Sequence, residues 1–547
     1  MKRYMKWGSL LMACALWVSC EDQLNVTPPN NFTDEQILEI LRTGDEKKVE
    51  LVLGALASGL DGNFRMAGSF NGFSGGTMNN VNGQDILVDV RGNDIVVGSA
   101  IHGASSSEFV SFYKLDNAAF KPWVGTQDAT GYNYPFWKLA CTPLINANKA
   151  LLFLTSDIAA DGIAKIKNAR AAALCVRAYS YMMLMERYQK AYLHGGKDGE
   201  GMPIYTEYKI NDPVAPSSAD ATYEFIKNDL KEAVSLFEAA GTGYTTDIPN
   251  DIDLSVAQYL LARVSLWTGD YKTCVAACEG LTANYSSFIK ERNYGVPASD
   301  FPALAAGTKE AMAANNAFSS LSVNPECILG WKDGNGAMTY YYGTFNVFAG
   351  DGSGTNPIYF RVDDRLYNQI DDNDFRKANV MTSDADFTYF KDNNTQTIPA
   401  YSSLKWGATI CLQQTARNEK VNTDMCYYRL SEVILMLAEA QAELGNDAAA
   451  KNTLNRLLAA RTKAGAPTLT CDNYKGGKSL KELIRLQWRI EMWGENGLEY
   501  YNAKRWNTPI DRSGSTIHWS TGLTFPVEYM TYEIPIQETN YNPGWGR

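Results

Sequence analysis

A pair of helical segments joined by a short turn constrains the fold of this chain most strongly. Residues 255–267 and the segment that ends at Leu281 carry apolar side chains three and four residues apart, a spacing that predicts two amphipathic helices. Gly269-Asp270-Tyr271 separates them, and glycine is typical of a helix end. Because small residues such as Ala262 lie where two helices would touch, the segments are predicted to pack as an antiparallel hairpin.

The same arrangement recurs at residues 429–458. Leu437-Ala438-Glu439-Ala440 leads to a turn at Leu444-Gly445-Asn446-Asp447, and a second helical pattern follows. Both copies resemble a tetratricopeptide hairpin, in which small residues line the helix contact. The copies are much further apart than one repeat length, so we expect a helical scaffold that is interrupted by an insertion.

The remaining patterns complete a mainly α fold. Thr33-Asp34-Glu35 is typical of a helix N-terminus, and residues 144–154 and 163–188 are also helical in pattern. The scaffold is therefore predicted mainly at 140–285 and 425–500. The insertion, about 285–425, is rich in Gly, Asn, Asp, Tyr and Phe and in turn dipeptides, which favours irregular structure with short strands and a few small hairpins.

The N-terminus has the features of a lipoprotein signal. Lys2, Arg3 and Lys6 precede an apolar run at 7–18, which is too short to span a bilayer as a helix, and Ser19-Cys20 follows. We therefore predict a signal peptide at 1–19, lipidation of Cys20 and a tether at 20–32. An ordinary signal peptide is the alternative. Cys14 is a weaker lipidation site, because it would leave an apolar 15–18 tail on the mature protein.

Charge and composition exclude several functions. The formal net charge is −11, and removal of a leader with three basic and no acidic residues lowers it to −14. An acidic chain without a basic tract is a poor nucleic-acid ligand. The three histidines, His102, His194 and His518, do not lie near a cysteine in the sequence, which disfavours zinc; a Ser-His-Asp triad is also disfavoured. Cys274 and Cys278 are predicted to be small core residues.

Four stretches resemble the SusD/RagB family of Bacteroidetes outer-membrane nutrient-binding lipoproteins. They are residues 170–188, 217–237, 428–458 and 532–536, the last with Asn542-Pro543-Gly544 nearby. The family's Glu-Arg and Glu-Gly-x-Arg elements appear here only in altered form, at 486–491 and 495–498. Those elements are mainly structural in the family, so the departures concern the subfamily.

The resemblance implies a single SusD-like domain over residues 33–547. It implies a surface-exposed, lipid-anchored outer-membrane protein that captures a glycan and acts as the lid of a SusC-like TonB-dependent transporter. It further implies four tetratricopeptide-like hairpins as the scaffold, a ligand site on the loop-rich part, no catalysis and no cofactor. Two other functions stay open, a surface glycoside hydrolase and a transporter-gating subunit without its own sugar site.

Sugar recognition needs flat apolar rings that stack on pyranose faces and fixed polar groups that bind hydroxyls. Aromatic and Asn residues in predicted loops are therefore the candidates, with core or local packing as the alternative for each. The candidates are Trp331, Tyr340, Tyr341 and Tyr342 in the insertion, Phe73 with Asn71, Asn79 and Asn80 in an early loop, and Trp123. The acids at 363–364 and 371–374 are expected in solvated turns, with calcium binding as the less favoured alternative. The identity of the glycan stays open.

The anchor generates a direct prediction. Cys20→Ala is expected to release the protein from the membrane while its affinity for glycan in solution stays unchanged, because the lipid and the ligand site are separate. Membrane fractionation and calorimetry on the released protein measure the two properties. Loss of both together would contradict the assignment of Cys20 as a simple anchor.

Overall fold

The structure is a computed structural model. It describes residues 32–57, 60, 81–98, 112–114, 133–207, 212–244, 251–299, 315–332, 349–350, 357–358, 360–388, 395–406, 424–519 and 524–546. No helix in these ranges has both the length and the hydrophobicity needed to cross a membrane.

The described chain is mainly helical. Its α-helices are α1 (Asp34–Thr43), α2 (Glu46–Leu56), α3 (Val81–Asp89), α4 (Asn133–Leu151), α5 (Ser156–Asp161), α6 (Ala164–Tyr188), α7 (Ala219–Ala239), α8 (Leu254–Thr268), α9 (Tyr271–Asn284), α10 (Asp364–Tyr367), α11 (Leu430–Glu443), α12 (Asp447–Ala460), α13 (Leu480–Glu491), α14 (Leu498–Arg505) and α15 (Ile536–Tyr541). The strands are short: β1 (Ile95–Val97), β2 (Glu200–Pro203), β3 (Pro216–Ser218), β4 (Cys327–Trp331), β5 (Ala349–Gly350), β6 (Pro357–Ile358), β7 (Phe360–Val362), β8 (Ala385–Thr388), β9 (Thr395–Ile398), β10 (Met425–Arg429), β11 (Ile510–Asp511) and β12 (Thr524–Phe525).

The long helices form one continuous stack. Helix α4 packs on α6, α6 on α7, α7 on α8, α8 on α9, α9 on α11, and α11 on both α12 and α13. Both predicted hairpins are confirmed as α8–α9 and α11–α12. The two copies are direct neighbours in space, because α9 packs on α11 although the insertion separates them in sequence.

The α8–α9 turn follows from its residues. Gly269 adopts a left-handed backbone with φ of 74°, which glycine reaches without steric cost, and it ends α8. Asp270 then caps α9 by accepting a hydrogen bond from the Thr273 amide at 3.3 Å. Cys274 and Cys278 are fully buried, as predicted for small core residues, and burial raises the pKa of the Cys278 thiol well above its usual range.

Helix α4 begins earlier than the sequence pattern indicates. The pattern places its start at residue 144, whereas the helix begins at Asn133 and contains Pro143. Proline normally disfavours a helix interior, since it lacks an amide donor. Here the upstream turns bury Phe136 and Leu139, and this apolar burial offsets the lost hydrogen bond.

The insertion contains hairpins but is also joined to the rest of the molecule by strands. β5–β6 and β8–β9 are antiparallel hairpins within it. β4 pairs with β10, with Cys327 opposite Arg429, and so closes the two ends of the insertion beside α11. β7 pairs with β1, which lies far upstream in the sequence. The insertion is therefore held at its ends and in its middle.

Asp363 and Asp374 of the insertion are buried in ion pairs, which corrects the expectation of solvated turns for these two acids, whereas Asp372 is exposed as expected. Asp363 and Asp374 are fully buried. Arg365 Nε donates to Asp363 at 2.7 Å, and Arg376 Nε donates to Asp374 at 2.9 Å. In each pair the arginine follows two residues later and folds back on the carboxylate. In the described ranges no three His, Cys, Asp or Glu residues are grouped so that they could hold a metal.

The insertion meets the scaffold at a buried ionic network centred on Glu491 at the end of α13. Its carboxylate accepts hydrogen bonds from Arg429 at 2.6 Å, Arg461 at 2.9 Å and Arg376 at 2.7 Å. Arg429 and Arg461 also bind Glu326, at 3.0 and 2.6 Å. These charges come from β10, the end of α12, the insertion and α13, so the network joins four parts of the chain.

The network is balanced in charge. It contains four cations and four carboxylates, namely Arg376, Lys405, Arg429, Arg461, Glu326, Asp374, Glu491 and Glu495. Burial alone would raise the pKa of Glu491, but the three guanidinium groups hold it well below its usual range. Glu491 therefore stays ionised, and each cation depends on a carboxylate for its burial.

We expect Glu491→Gln to destabilise the fold by about 3–5 kcal/mol, because it leaves one buried cation uncompensated. Urea unfolding followed by circular dichroism measures the change. Asp472→Asn is the matched control, since it removes the exposed partner of Lys451 and should leave the midpoint nearly unchanged. A Glu491→Gln variant as stable as that control would contradict a structural role for the network.

Candidate functional site

The structure removes Trp331 from the predicted glycan-binding residues. Its ring is 4% exposed, and it lies in β4 and packs against Tyr427 with 5.8 Å between ring centroids. An indole covered in this way does not offer a face to a sugar. For Trp331 the alternative of core packing is therefore correct, because its strand is one of the two that close the insertion on the scaffold.

The other candidates, together with Cys20, lie outside the described residues and remain predictions. They are Tyr340, Tyr341, Tyr342, Phe73, Asn71, Asn79, Asn80 and Trp123. The described part of the chain does, however, contain a half-exposed indole that the sequence analysis did not select.

That indole belongs to Trp519, which lies between β11 and β12 and is 36% exposed. Its Nε1 donates to the carbonyl of Val97 at 2.7 Å, at the end of β1. The turn that precedes it is fixed by Asp364, which accepts hydrogen bonds from Ser515 Oγ at 3.0 Å and Thr516 Oγ1 at 2.6 Å. The orientation of the ring is therefore set by strand and turn geometry.

Three neighbours complete this surface, which we call the Trp519 platform and define as Trp519, Tyr113, Lys114 and His518. The buried ring of Tyr113 lies behind the indole, with 4.9 Å between centroids and 36° between planes. The exposed ammonium group of Lys114 is 5.6 Å from the indole centroid, within cation–π distance. Arg512 lies over Tyr113 at 4.2 Å and donates to the Val90 and Gly92 carbonyls, which holds the supporting ring in place.

His518 has a supporting role in the platform. Its ring stacks on Tyr113 at 5.5 Å, and its Nε2 lies 2.9 Å from the Asn93 carbonyl. Burial, with a contribution from Arg512, lowers the pKa of His518 to about 3, so the ring is neutral at physiological pH. A neutral ring that faces a carbonyl carries its proton on Nε2. Nδ1 then accepts the hydrogen bond from the Tyr113 hydroxyl.

The arrangement is suited to non-covalent binding of a flat, hydroxylated ligand. It offers a rigid indole face, an ammonium donor beside it and little conformational freedom to lose. The sequence signal for Trp519 as a binding residue is weak, because His518-Trp519 only follows a polar segment at 511–516 in a loop-rich region. Tertiary contacts with β1 and Tyr113 distinguish this tryptophan from those in the core.

Two family models match the chain. One, described as the SusD family, matches residues 291–544, and the other, described as starch-binding associating with outer membrane, matches residues 81–247. The chain belongs to the SusD family. The resemblance predicted from the four sequence stretches is thereby confirmed. Within this SusD-family chain the Trp519 platform draws on both matched regions, since Tyr113 and Lys114 lie in one and Trp519 in the other.

Solved structures show the same fold. A SusD-like carbohydrate-binding protein from Bacteroides vulgatus is 21% identical, with 90% of this chain and 96% of that chain covered and a TM-score of 0.63. A SusD superfamily protein from Bacteroides thetaiotaomicron is 18% identical, with 90% and 98% covered and a TM-score of 0.60. Surface glycan-binding protein A from Bacteroides uniformis is 14% identical, with 90% and 98% covered and a TM-score of 0.61. No curated protein sequence matches the chain.

These comparisons confirm the mainly α, tetratricopeptide-like fold class of this SusD-family protein. The family model that matches residues 81–247 is described by starch binding and by association with the outer membrane.

Trp519→Ala is expected to weaken glycan binding by about tenfold, because it removes the stacking surface while the supporting ring stays in the core. Calorimetry with the glycan that binds most strongly on an array measures the change. Tyr529→Ala is the matched control, since that ring is 50% exposed and does not belong to the platform. A Trp519→Ala protein with an unchanged circular dichroism spectrum and parental affinity would contradict the assignment.

Proposed function

We propose that this protein is a cell-surface glycan-binding lipoprotein. It captures an oligosaccharide or polysaccharide and delivers it to a SusC-like TonB-dependent outer-membrane transporter, for which it is the lid. The observation that carries the proposal is the Trp519 platform, a fixed and half-exposed indole in a chain whose residues 81–247 match a family model described by starch binding.

The chemistry of capture is binding without reaction. A pyranose ring placed on the indole buries its apolar face, while Lys114 donates to a hydroxyl or ring oxygen. Because the indole is held by the Val97 carbonyl and supported by Tyr113, little side-chain entropy is lost when the sugar binds. Trp123 and Tyr341 remain predicted glycan contacts from the sequence.

The anchor suits the movement of a lid. Lipidation at Cys20 places the chain on the membrane, and a tether at residues 20–32 extends at most about 40 Å. The body begins at α1, where Thr33 caps the helix and Gln36 completes the capping box. Helix α1 packs on α5, so the folded body begins directly after the tether.

Co-purification from the native outer membrane tests the role as a lid. A C-terminally tagged chain, solubilised in mild detergent, is expected to carry a SusC-like transporter in near-equal amount. The Cys20→Ala protein is the control for attachment, because it can bind glycan but is released from the membrane. Recovery of the membrane-anchored chain without a transporter would contradict the lid function and leave glycan capture standing.

Two results would instead favour the alternatives. Release of reducing ends from a glycan by the purified chain would indicate a glycoside hydrolase. Co-purification with the transporter, together with no binding to any glycan on an array, would indicate a gating subunit without its own sugar site.

A further inference from the structure

An open groove of 890 Å³ lies along the outer face of α4. One wall is α4 itself, and the other is formed by the segments around Tyr205 and Pro213 and by the C-terminal residues 537–543. We call this surface the α4 groove. It shares no residue with the Trp519 platform, so it stands or falls independently of the proposed function.

The α4 wall is a regular helical stripe. Its residues follow each other at intervals of one and three positions from Tyr134 to Asn148, and they include Trp137, Lys138, Leu144 and Ile145. At the rise of an α-helix this stripe is about 21 Å long. That length accommodates several sugar units of an extended oligosaccharide.

Aromatic rings are presented along the groove. Tyr541, the last residue of α15, is 90% exposed, and Tyr134 on the facing helix is half-buried. Ile145 adds an exposed apolar side chain to the α4 wall. Apolar side chains that are exposed together at the edge of a cleft are typical of a binding surface.

The walls are tied to each other through Tyr205. Asn148 of α4 donates to the Tyr205 carbonyl at 2.9 Å, and Asn542 donates to the Tyr205 hydroxyl and to the Val214 carbonyl, both at 2.8 Å. A side chain at Gly544 would place its Cβ 2.4 Å from the Val214 carbonyl oxygen, so only glycine permits this close approach. The groove is therefore held in shape before a ligand binds.

Fixed hydrogen-bonding groups point to a hydroxylated ligand. Glu538 Oε1 accepts hydrogen bonds from the Tyr205 hydroxyl and from Trp545 Nε1, each at 3.1 Å. Its second oxygen has no hydrogen bond to any residue in the described part of the chain. Burial, with Glu538 beside it, raises the pKa of Tyr205, so this hydroxyl remains a donor and holds the carboxylate in place.

The charge of the groove selects the class of ligand. Among the described residues, Glu207, Asp212 and Glu538 line it against a single cation, Lys138. An excess of carboxylates repels uronate-rich or sulfated glycans and accepts hydrogen bonds from neutral sugar hydroxyls. A peptide is less suited, since the lining consists of a helix face and loops and offers no strand edge to extend.

We propose that the α4 groove is a second carbohydrate-binding site, which takes neutral oligosaccharides and is separate from the Trp519 platform. Two sites on one chain would raise the avidity for a polysaccharide that spans both.

Calorimetry with maltoheptaose, xylohexaose and mannohexaose tests the groove, and oligogalacturonate serves as the anionic probe. The proteins are the parent, Tyr541→Ala, Trp519→Ala, the double variant and the control Tyr529→Ala, each with its fold checked by circular dichroism. We expect at least one neutral probe to bind the Trp519→Ala protein. Adding Tyr541→Ala to this protein, which gives the double variant, should weaken the binding of that probe about tenfold. Tyr529→Ala should have no effect. Oligogalacturonate should not bind at the groove.

Each contrary outcome is distinct. If Trp519→Ala binds no neutral probe and Tyr541→Ala binds as the parent does, the groove is not a sugar-binding site and the assignment of the platform is supported. Loss of binding in Tyr541→Ala alone supports the groove and contradicts the platform. Failure of the parent to bind any neutral probe, or a preference of the groove for oligogalacturonate or a protein, overturns the proposal.

Discussion

Ionisation of Glu491 in the protein interior is the condition on which the rest of the structure depends. Its carboxylate accepts hydrogen bonds from three arginines that come from β10, the end of α12 and the insertion. A buried guanidinium group without a counter-charge would cost several kcal/mol, so these segments are stable together or not at all. The network thus makes the loop-rich insertion part of the helical scaffold.

This connection gives the candidate site its rigidity. The insertion carries β7, which pairs with β1, and the end of β1 provides the Val97 carbonyl that holds Trp519. Asp364, just after β7, fixes the turn before the indole. The orientation of a surface ring is therefore set by contacts that lead back, through the insertion, to the buried charges. Such a preformed platform would favour binding of the proposed ligand, because less side-chain entropy is lost.

The C-terminal segment similarly holds the α4 groove in shape. Asn542 and Gly544 hold it against Val214, and Glu538 is held by Tyr205 and Trp545. The Asn-Pro-Gly element, which the sequence analysis used only as a mark of family resemblance, is thus a clamp that shapes the α4 groove. Both candidate surfaces share one feature: hydrogen bonds within the fold hold in place the segments that form them.

The sequence by itself determined the helical hairpins, the helix caps, the small residues between α8 and α9 and the family, because these depend on local periodicity and short motifs. It did not determine which aromatic rings are exposed. Trp331 and Trp519 both lie among loop-like residues, yet one is a core side chain in β4 and the other is half-exposed. It also placed Asp363 and Asp374 in solvated turns, whereas they are buried with arginines. Only the tertiary structure decided these cases, because burial of a ring or charge depends on partners that are distant in sequence.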